Sequence, residues 1–313
     1  ERAVEKAMSR LEGAYSLVIM SPRKMLAVRD PHGFRPLCIG QMENGSYVFA
    51  SESCALDSLG AKFLRDVDPG EIVIAEAGQA LRSIRTHCGA HESLCVFEFV
   101  YFARPDSVIE GASVHQARIA AGRRLWEEHP VEADVVIGVP DSGLDAALGF
   151  SQASGIPYGT GFVKNRYVGR TFIQPSQDQR SDSVRIKLNA LSSTVQGKRV
   201  VMVDDSIVRG TTIRNIVELL RRAGASEVHV RISSPPFIAP CHFGTDVDST
   251  ENLIAFRLSI PEIAHAIHAD SLGYLSVDGV RQIAKTRSCG FCTGCFTGKY
   301  PILIRDEAAM DKY

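Results

Sequence analysis

From Arg199 to Thr212 the chain reads Arg-Val-Val-Met-Val-Asp-Asp-Ser-Ile-Val-Arg-Gly-Thr-Thr, and few folds accommodate such a run. Its unbroken apolar start predicts a strand covered on both faces, as in a parallel sheet flanked by helices. That strand delivers two adjacent acids, Asp204 and Asp205, to its carboxyl end, where open α/β sheets bind ligands. Gly210, Thr211 and Thr212 follow at the start of an amphipathic stretch, Thr212–Ala223, with the threonines placed to cap the helix. Free N–H groups, hydroxyls and a helix dipole seat a phosphate. The acids repel phosphate and suit sugar hydroxyls or Mg²⁺ instead. Acids followed within a few residues by a phosphate nest describe a ribose 5-phosphate site. Neither Gly-x-Gly-x-x-Gly nor Gly-x₄-Gly-Lys-Ser/Thr occurs in the chain.

The flanking sequence extends the same architecture. A helical period over Val114–Glu128, an apolar run Asp134–Val139, a helix over Leu144–Ala153 and further apolar runs at Lys198–Val203 and Glu227–Ile232 give strand–helix alternation. The first stretch differs. Short runs at Ala14–Met20, Lys24–Val28, Pro36–Ile39, Tyr47–Ser51 and Glu71–Ala75, separated by turn-prone pieces such as Asp68-Pro69-Gly70, predict an antiparallel sheet or sandwich. Residues 164–190 form a long polar segment, the length of a functional lid. After about residue 246 a helical tail is expected. With 313 residues, two domains fit. Lys and Arg total 35 and Asp and Glu 36, so the basic excess of a nucleic-acid binder is missing. No apolar run reaches the ~18–20 residues of a membrane span.

The Arg199–Thr212 segment resembles the phosphoribosyl pyrophosphate (PRPP) fingerprint of type I phosphoribosyltransferases. Val139-Pro-Asp-Ser-Gly143, again after a strand, resembles their pyrophosphate loop, and the segment from Lys164-Asn-Arg-Tyr167 their basic lid. Four further segments, Asp30-Pro-His-Gly-Phe-Arg-Pro-Leu37, Ser51-Glu-Ser-Cys-Ala-Leu-Asp57, Phe97-Glu-Phe-Val-Tyr-Phe-Ala-Arg-Pro-Asp106 and Phe296-Thr-Gly-Lys-Tyr-Pro301, resemble the glutamine PRPP amidotransferases, so the likeness covers nearly the whole chain.

This resemblance implies an N-terminal-nucleophile (Ntn) hydrolase β sandwich followed by a parallel phosphoribosyltransferase sheet. The expected boundaries are 1–90 for part of the glutaminase domain, 91–112 for a linker with a cluster cysteine, 113–250 for the transferase and 251–313 for a helical C-terminal region. It implies the first committed step of purine biosynthesis: glutamine-derived ammonia displaces pyrophosphate from PRPP. PRPP would be held by Asp204, Asp205, Ser206, Val208, Arg209, Gly210, Thr211 and Thr212, by Asp141, Ser142 and Gly143, and by Lys164, Arg166 and Tyr167 of the lid, with Lys187 a weaker candidate. Mg²⁺ would meet Ser142, Asp204 and Asp205. The chain opens at Glu1 rather than at a nucleophilic Cys. It is therefore expected to be an N-terminally truncated fragment that is at most ammonia-dependent, and no glutaminase residue is assigned. Cys38 and Cys54 read as core thiols.

Cys289-x-x-Cys292-x-x-Cys295 has spacing suited to zinc or an iron–sulfur cluster. One branch of the family carries a 4Fe–4S cluster, which transfers to Cys95, Cys241, Cys292 and Cys295 and leaves Cys289 as an extra thiol. The resemblance further implies purine-nucleotide inhibitors, a homo-oligomer (dimer or tetramer) and a cytoplasmic enzyme without membrane or nucleic-acid partners. The alternative is a non-catalytic PRPP-binding regulator with the same fold.

Overall fold

The computed structural model of the chain describes residues 1–165, 188–245, 247, 249–287 and 290–304. It divides into two units. Unit 1 draws on Glu1–Val114, Cys241–Asp246 and Lys285–Tyr313, and unit 2 on His115–Pro240 and Val247–Ala284. No helix among the described residues is long and apolar enough to cross a membrane.

Unit 1 is built from two antiparallel sheets. Strands β1 (Ser16–Met20), β2 (Lys24–Arg29), β3 (Cys38–Gln41), β4 (Tyr47–Ala50), β5 (Lys62–Asp66), β6 (Ile72–Glu76) and β7 (Arg82–Ile84) pair in the orders β1-β2-β6-β7 and β4-β3-β5. Alternation along the strands divides the packing. Leu26 and Val28 of β2 join Ile72 and Ile74 of β6 beneath Met8 of helix α1 (Arg2–Met8). Their neighbours Ala27 and Val73 face Leu37, Ile39 and Val67 instead. A period of two thus buries both faces of the first sheet, as in a sandwich. Helix α2 (Ser53–Leu59) covers the second sheet, with Leu56 against Cys38 and Ala61. Cys38 and Cys54 are buried.

The chain divides differently from the expected boundaries. Residues 91–112, expected as a linker, belong to unit 1. There β8 (Leu94–Cys95) pairs in parallel with a late strand, and β9 (Val108–Ile109) forms a hairpin with β10 (Ala112–Ser113). Residues 251–284, expected to lie outside the transferase domain, belong to unit 2 and supply one of its strands.

Unit 2 carries a parallel sheet ordered β11 (Val135–Gly138), β14 (Arg199–Asp204), β15 (Glu227–Ile232) and β16 (Ser271–Tyr274). Helices α3 (Val114–Glu128), α4 (Gly143–Ser154), α5 (Thr211–Arg222) and α6 (Ile260–Ala266) accompany it. The stripe Ile213, Ile216, Val217 and Leu220 of α5 packs with Val200 and Met202 of β14 and Val228, Val230 and Ile232 of β15. Each such side chain contributes ~1.5–3 kcal/mol by leaving water. Between β11 and β14 in sequence, β12 (Phe162–Lys164) pairs with β13 (Leu188–Ala190), so the chain leaving at Lys164 returns directly opposite at Leu188. Helices α3 and α4 touch through glycines. A Cβ on Gly122 would lie 1.8 Å from the Ala146 carbonyl oxygen, and one on Gly149 would lie 2.0 Å from that of Ile119.

Candidate functional site

The carboxyl ends of β11 and β14 lie side by side, with Gly138 paired to Val203. The two expected loops therefore meet. Gly143, the first residue of α4, approaches β14 so closely that a Cβ would sit 2.5 Å from the Val203 oxygen. This approach brings Ser142 onto the acid pair, where its Oγ donates to Asp205 Oδ2 at 2.5 Å. The Ser206 hydroxyl donates to the other oxygen, Oδ1, of the same carboxylate. The Asp205 N–H donates to Asp204 Oδ1 at 2.9 Å.

Asp205 is only 8% exposed. Burial, compounded by the charge of Asp205, pushes the Asp204 carboxyl well above its ordinary range. Burial also raises Asp205, against the opposing hydroxyls of Ser142 and Ser206 and the positive charge of Arg118. A buried acid and a half-buried one this close demand a cation or a proton. Among the described residues no three or more His, Cys, Asp or Glu side chains surround one metal position. Mg²⁺ does not need three, since it is typically held by one or two carboxylates together with waters and substrate phosphates. The donor set fits such an ion.

After the acids, Ile207 turns into the core and the Val208 oxygen accepts from Ile254 N at 2.9 Å. Gly210 takes φ 84°, a left-handed conformation that favours glycine, and is itself the N-cap of α5. Thr211 and Thr212 correct the expectation of a threonine cap. They are the first two helical residues, both exposed, and no side-chain cap bond forms. Their hydroxyls and the first-turn N–H groups stand at the mouth of the loop with the exposed Arg209. At the end of β12, Lys164 Nζ donates to Asp141 Oδ2 at 2.6 Å, so the one described basic residue of the lid segment already touches the pyrophosphate-type loop. Arg166, Tyr167 and Lys187 lie outside the described residues.

Sequence reasoning missed Arg118. It is a buried side chain, 4% exposed, on α3, and its charge favours the ionised Asp205. The available signal was an arginine spaced four residues from both Val114 and Gly122, on the side of the helix that packs inward.

In unit 1, Cys95, Cys241, Cys292 and Cys295 line one narrow cavity with Phe34, Phe243 and Tyr300. Cys95 and Cys292 face each other across the β8–β17 ladder, β17 being Phe291–Cys292. Backbone N–H groups point at the sulfurs: Phe243 and Thr245 donate to Cys241 Sγ at 3.3 and 3.4 Å, Phe97 donates to Cys95 and Gly294 to Cys292. A neutral thiol is a weak acceptor, so such donors match thiolate ligands. Burial pushes Cys95 up to about 12 and raises Cys292 and Cys295. The four thiols line one cavity without surrounding a single metal position, an arrangement that suits a cluster taking one thiolate per iron rather than a lone ion. Cys289 lies outside the described residues.

The comparisons accord with both units. A family model described as "Phosphoribosyl transferase domain" matches residues 113–233, and one described as "Glutamine amidotransferase domain" matches residues 1–58. Relatives named amidophosphoribosyltransferase are 54% identical in Synechocystis, 51% in Bacillus subtilis and 48% in Archaeoglobus fulgidus. The matches cover 98%, 98% and 97% of this chain, and the chain spans 62%, 65% and 67% of those relatives' lengths. A solved glutamine PRPP amidotransferase from Bacillus subtilis, in complex with ADP and GMP, superposes with TM-score 0.89 at 51% identity. That match covers 98% of this chain and 68% of the other.

Proposed function

Since this chain belongs to the amidophosphoribosyltransferase family, we propose that unit 2 transfers the phosphoribosyl group of PRPP to ammonia, as a pentosyltransferase opening purine biosynthesis. In the full reaction PRPP, glutamine and water give 5-phosphoribosylamine, glutamate and pyrophosphate. Unit 1, through its likeness to glutamine amidotransferase domains, belongs to the glutamine side of that reaction.

The observation that carries this reading is the acid pair at the end of β14, whose Asp205 accepts from Ser142 of the neighbouring strand's loop. Asp204 and Asp205 orient the ribose hydroxyls. The loop Ser206–Gly210 and the first turn of α5 hold the 5-phosphate through N–H groups, Thr211, Thr212 and the helix dipole. Asp141, Ser142, Gly143 and Lys164 face the pyrophosphate. Ammonia forms its bond to C1 as the C1–O bond to pyrophosphate breaks, and the new ammonium loses a proton to solvent. Ammonia needs no strong base to attack, so the residues act by positioning and by exclusion of water. Mg²⁺, held by Asp204 and Asp205 beside Ser142, would neutralise the departing pyrophosphate.

The reading extends to a 4Fe–4S cluster on Cys95, Cys241, Cys292 and Cys295, which would tie 95, 241 and 292–295 together as a structural clamp. It further includes purine-nucleotide inhibition, as the ADP and GMP of the solved relative suggest, a homo-oligomer and a cytoplasmic location. The test is pyrophosphate release from PRPP with ammonium and Mg²⁺. Turnover abolished by Asp204→Asn supports the reading. Binding of PRPP without release of pyrophosphate would replace it with the non-catalytic regulator.

A further inference from the structure

Arg35 stands between the turns that carry two of the four thiols. The carbonyl of its neighbour Phe34 accepts from Cys95 N at 3.0 Å. Its own guanidinium donates through NH2 to the Phe243 carbonyl at 2.8 Å, within the turn whose Phe243 N–H points at Cys241 Sγ. The cation is held from two further sides. NH1 donates to Glu98 Oε1 at 2.6 Å, and the guanidinium carbon lies 4.8 Å from the centre of the Phe102 ring. Glu98 follows Cys95 by three residues and is 6% exposed. The wall behind the thiols is aromatic, with Phe34 and Phe243 stacked at 4.2 Å between ring centres and Tyr300 edge-on to Phe243. One cation and one carboxylate, their side chains 18% and 8% exposed, are therefore fixed on the wall of an open pocket that shares Phe243 with the apolar thiol cavity.

We propose that Arg35 and Glu98 form a fixed charge couple that sets the reduction potential of the four-thiol centre, Arg35 raising it and Glu98 lowering it. The inference rests on the reading of Cys95, Cys241, Cys292 and Cys295 as cluster ligands. An electron added to a cluster is stabilised by a nearby cation and opposed by a nearby anion, and net charge, hydrogen bonds to sulfur and solvent exposure are the protein's means of tuning the potential. Arg35 and Glu98 are positioning residues. Neither offers a ligand atom to iron.

The test is a redox titration of the anaerobically purified protein at pH 8, followed by optical and electron paramagnetic signals, with iron and sulfide counted for every variant. Arg35→Gln should move the midpoint to a more negative potential and shorten the cluster's lifetime in air. Arg35→Lys, which keeps the charge, should restore most of both. Glu98→Gln should move the midpoint the opposite way. Should Arg35→Gln not fold, Glu98→Gln still decides the sign, with Arg35→Lys as the charge-keeping control. A potential unmoved in a variant that holds its full iron and sulfide, or shifts of the same sign at Arg35 and Glu98, would overturn the couple. Wild-type protein without iron and sulfide would instead remove the cluster reading itself, and the couple with it.

Discussion

Gly122→Ala isolates the crossing of α3 and α4, because two effects of opposite sign compete there. In an exposed helix the change stabilises by ~1 kcal/mol, since alanine is the better helix former. At this position the new methyl would lie 1.8 Å from the Ala146 oxygen, 2.7 Å from its carbonyl carbon and 2.8 Å from the Phe150 nitrogen. All three are backbone atoms, so no side chain can swing aside. Ordinary contact begins near 3.4 Å, so the helices must separate by about 1.6 Å, the difference between that limit and the 1.8 Å approach. Overpacking of this kind costs ~1–3 kcal/mol or more, which outweighs the propensity gain. The displaced helix is α4, whose first residue, Gly143, carries the Asp141–Gly143 loop against β14. A misplacement of ~1 Å at a reacting centre can cost ~10²-fold in rate. The variant is expected to melt several degrees below wild type and to lose about two orders of magnitude in ammonium-dependent pyrophosphate release. Thermal melts and a coupled pyrophosphate assay measure the two effects separately. A variant as stable as wild type or more so, with an unchanged rate, would refute the account of the crossing.

Two further outcomes follow from buried charges in unit 1. Burial, with Glu110 adding to it, pushes Asp66 up to about 6, against ~3.9 in an unfolded chain. The folded state therefore holds this proton more tightly. Stability attached to it is fully present below pH ~4 and falls by roughly 2–3 kcal/mol as the pH rises through 6. Asp66→Asn should flatten that part of the stability profile in urea titrations, and an unaltered slope would discount the shift. Arg29 is 1% exposed and donates to Glu110, to the Arg35 and Val67 carbonyls at 2.8 and 2.7 Å and to the Gly33 carbonyl at 3.1 Å. Arg29→Met would strand Glu110 as a buried acid and should lower stability by ~3–5 kcal/mol. A change below ~1 kcal/mol would show that water reaches the pair.

The sheet of unit 2 was legible because its strands are continuous apolar runs. Val114–Glu128 and Glu227–Ile232 are found with the bounds that periodicity predicts, and β14 and α5 within a residue of them. β16 was not legible. Ser271-Leu-Gly-Tyr274 has no β-branched residue, and its identity as a strand comes from pairing with β15, more than forty residues earlier in the chain. The same limit hid α2, a seven-residue helix defined by the face of β3 that Leu56 covers. In the site, Asp204, Asp205 and the Gly-Thr-Thr run could be read from residue chemistry alone. The bond from Ser142 to Asp205 could not, because it depends on the neighbouring registers of β11 and β14. The meeting of Cys95 and Cys241 with the C-terminal cysteines was likewise beyond spacing rules, since no local period connects positions so far apart. Gly122 and Gly149 drew no notice in sequence, where a glycine within a helix reads as a weakness rather than as a contact.

The parallel ladder between Leu94–Cys95 and Phe291–Cys292 governs when the protein can be finished as it is made. β8 emerges from the ribosome about 200 residues before its partner, a delay of roughly 10–40 s at ordinary translation rates. The strands of the sandwich can collapse early, while the partner of β8 waits for the whole of unit 2 to be synthesised. Domain-by-domain folding during translation, the usual safeguard of a two-unit chain, is therefore denied to the first unit.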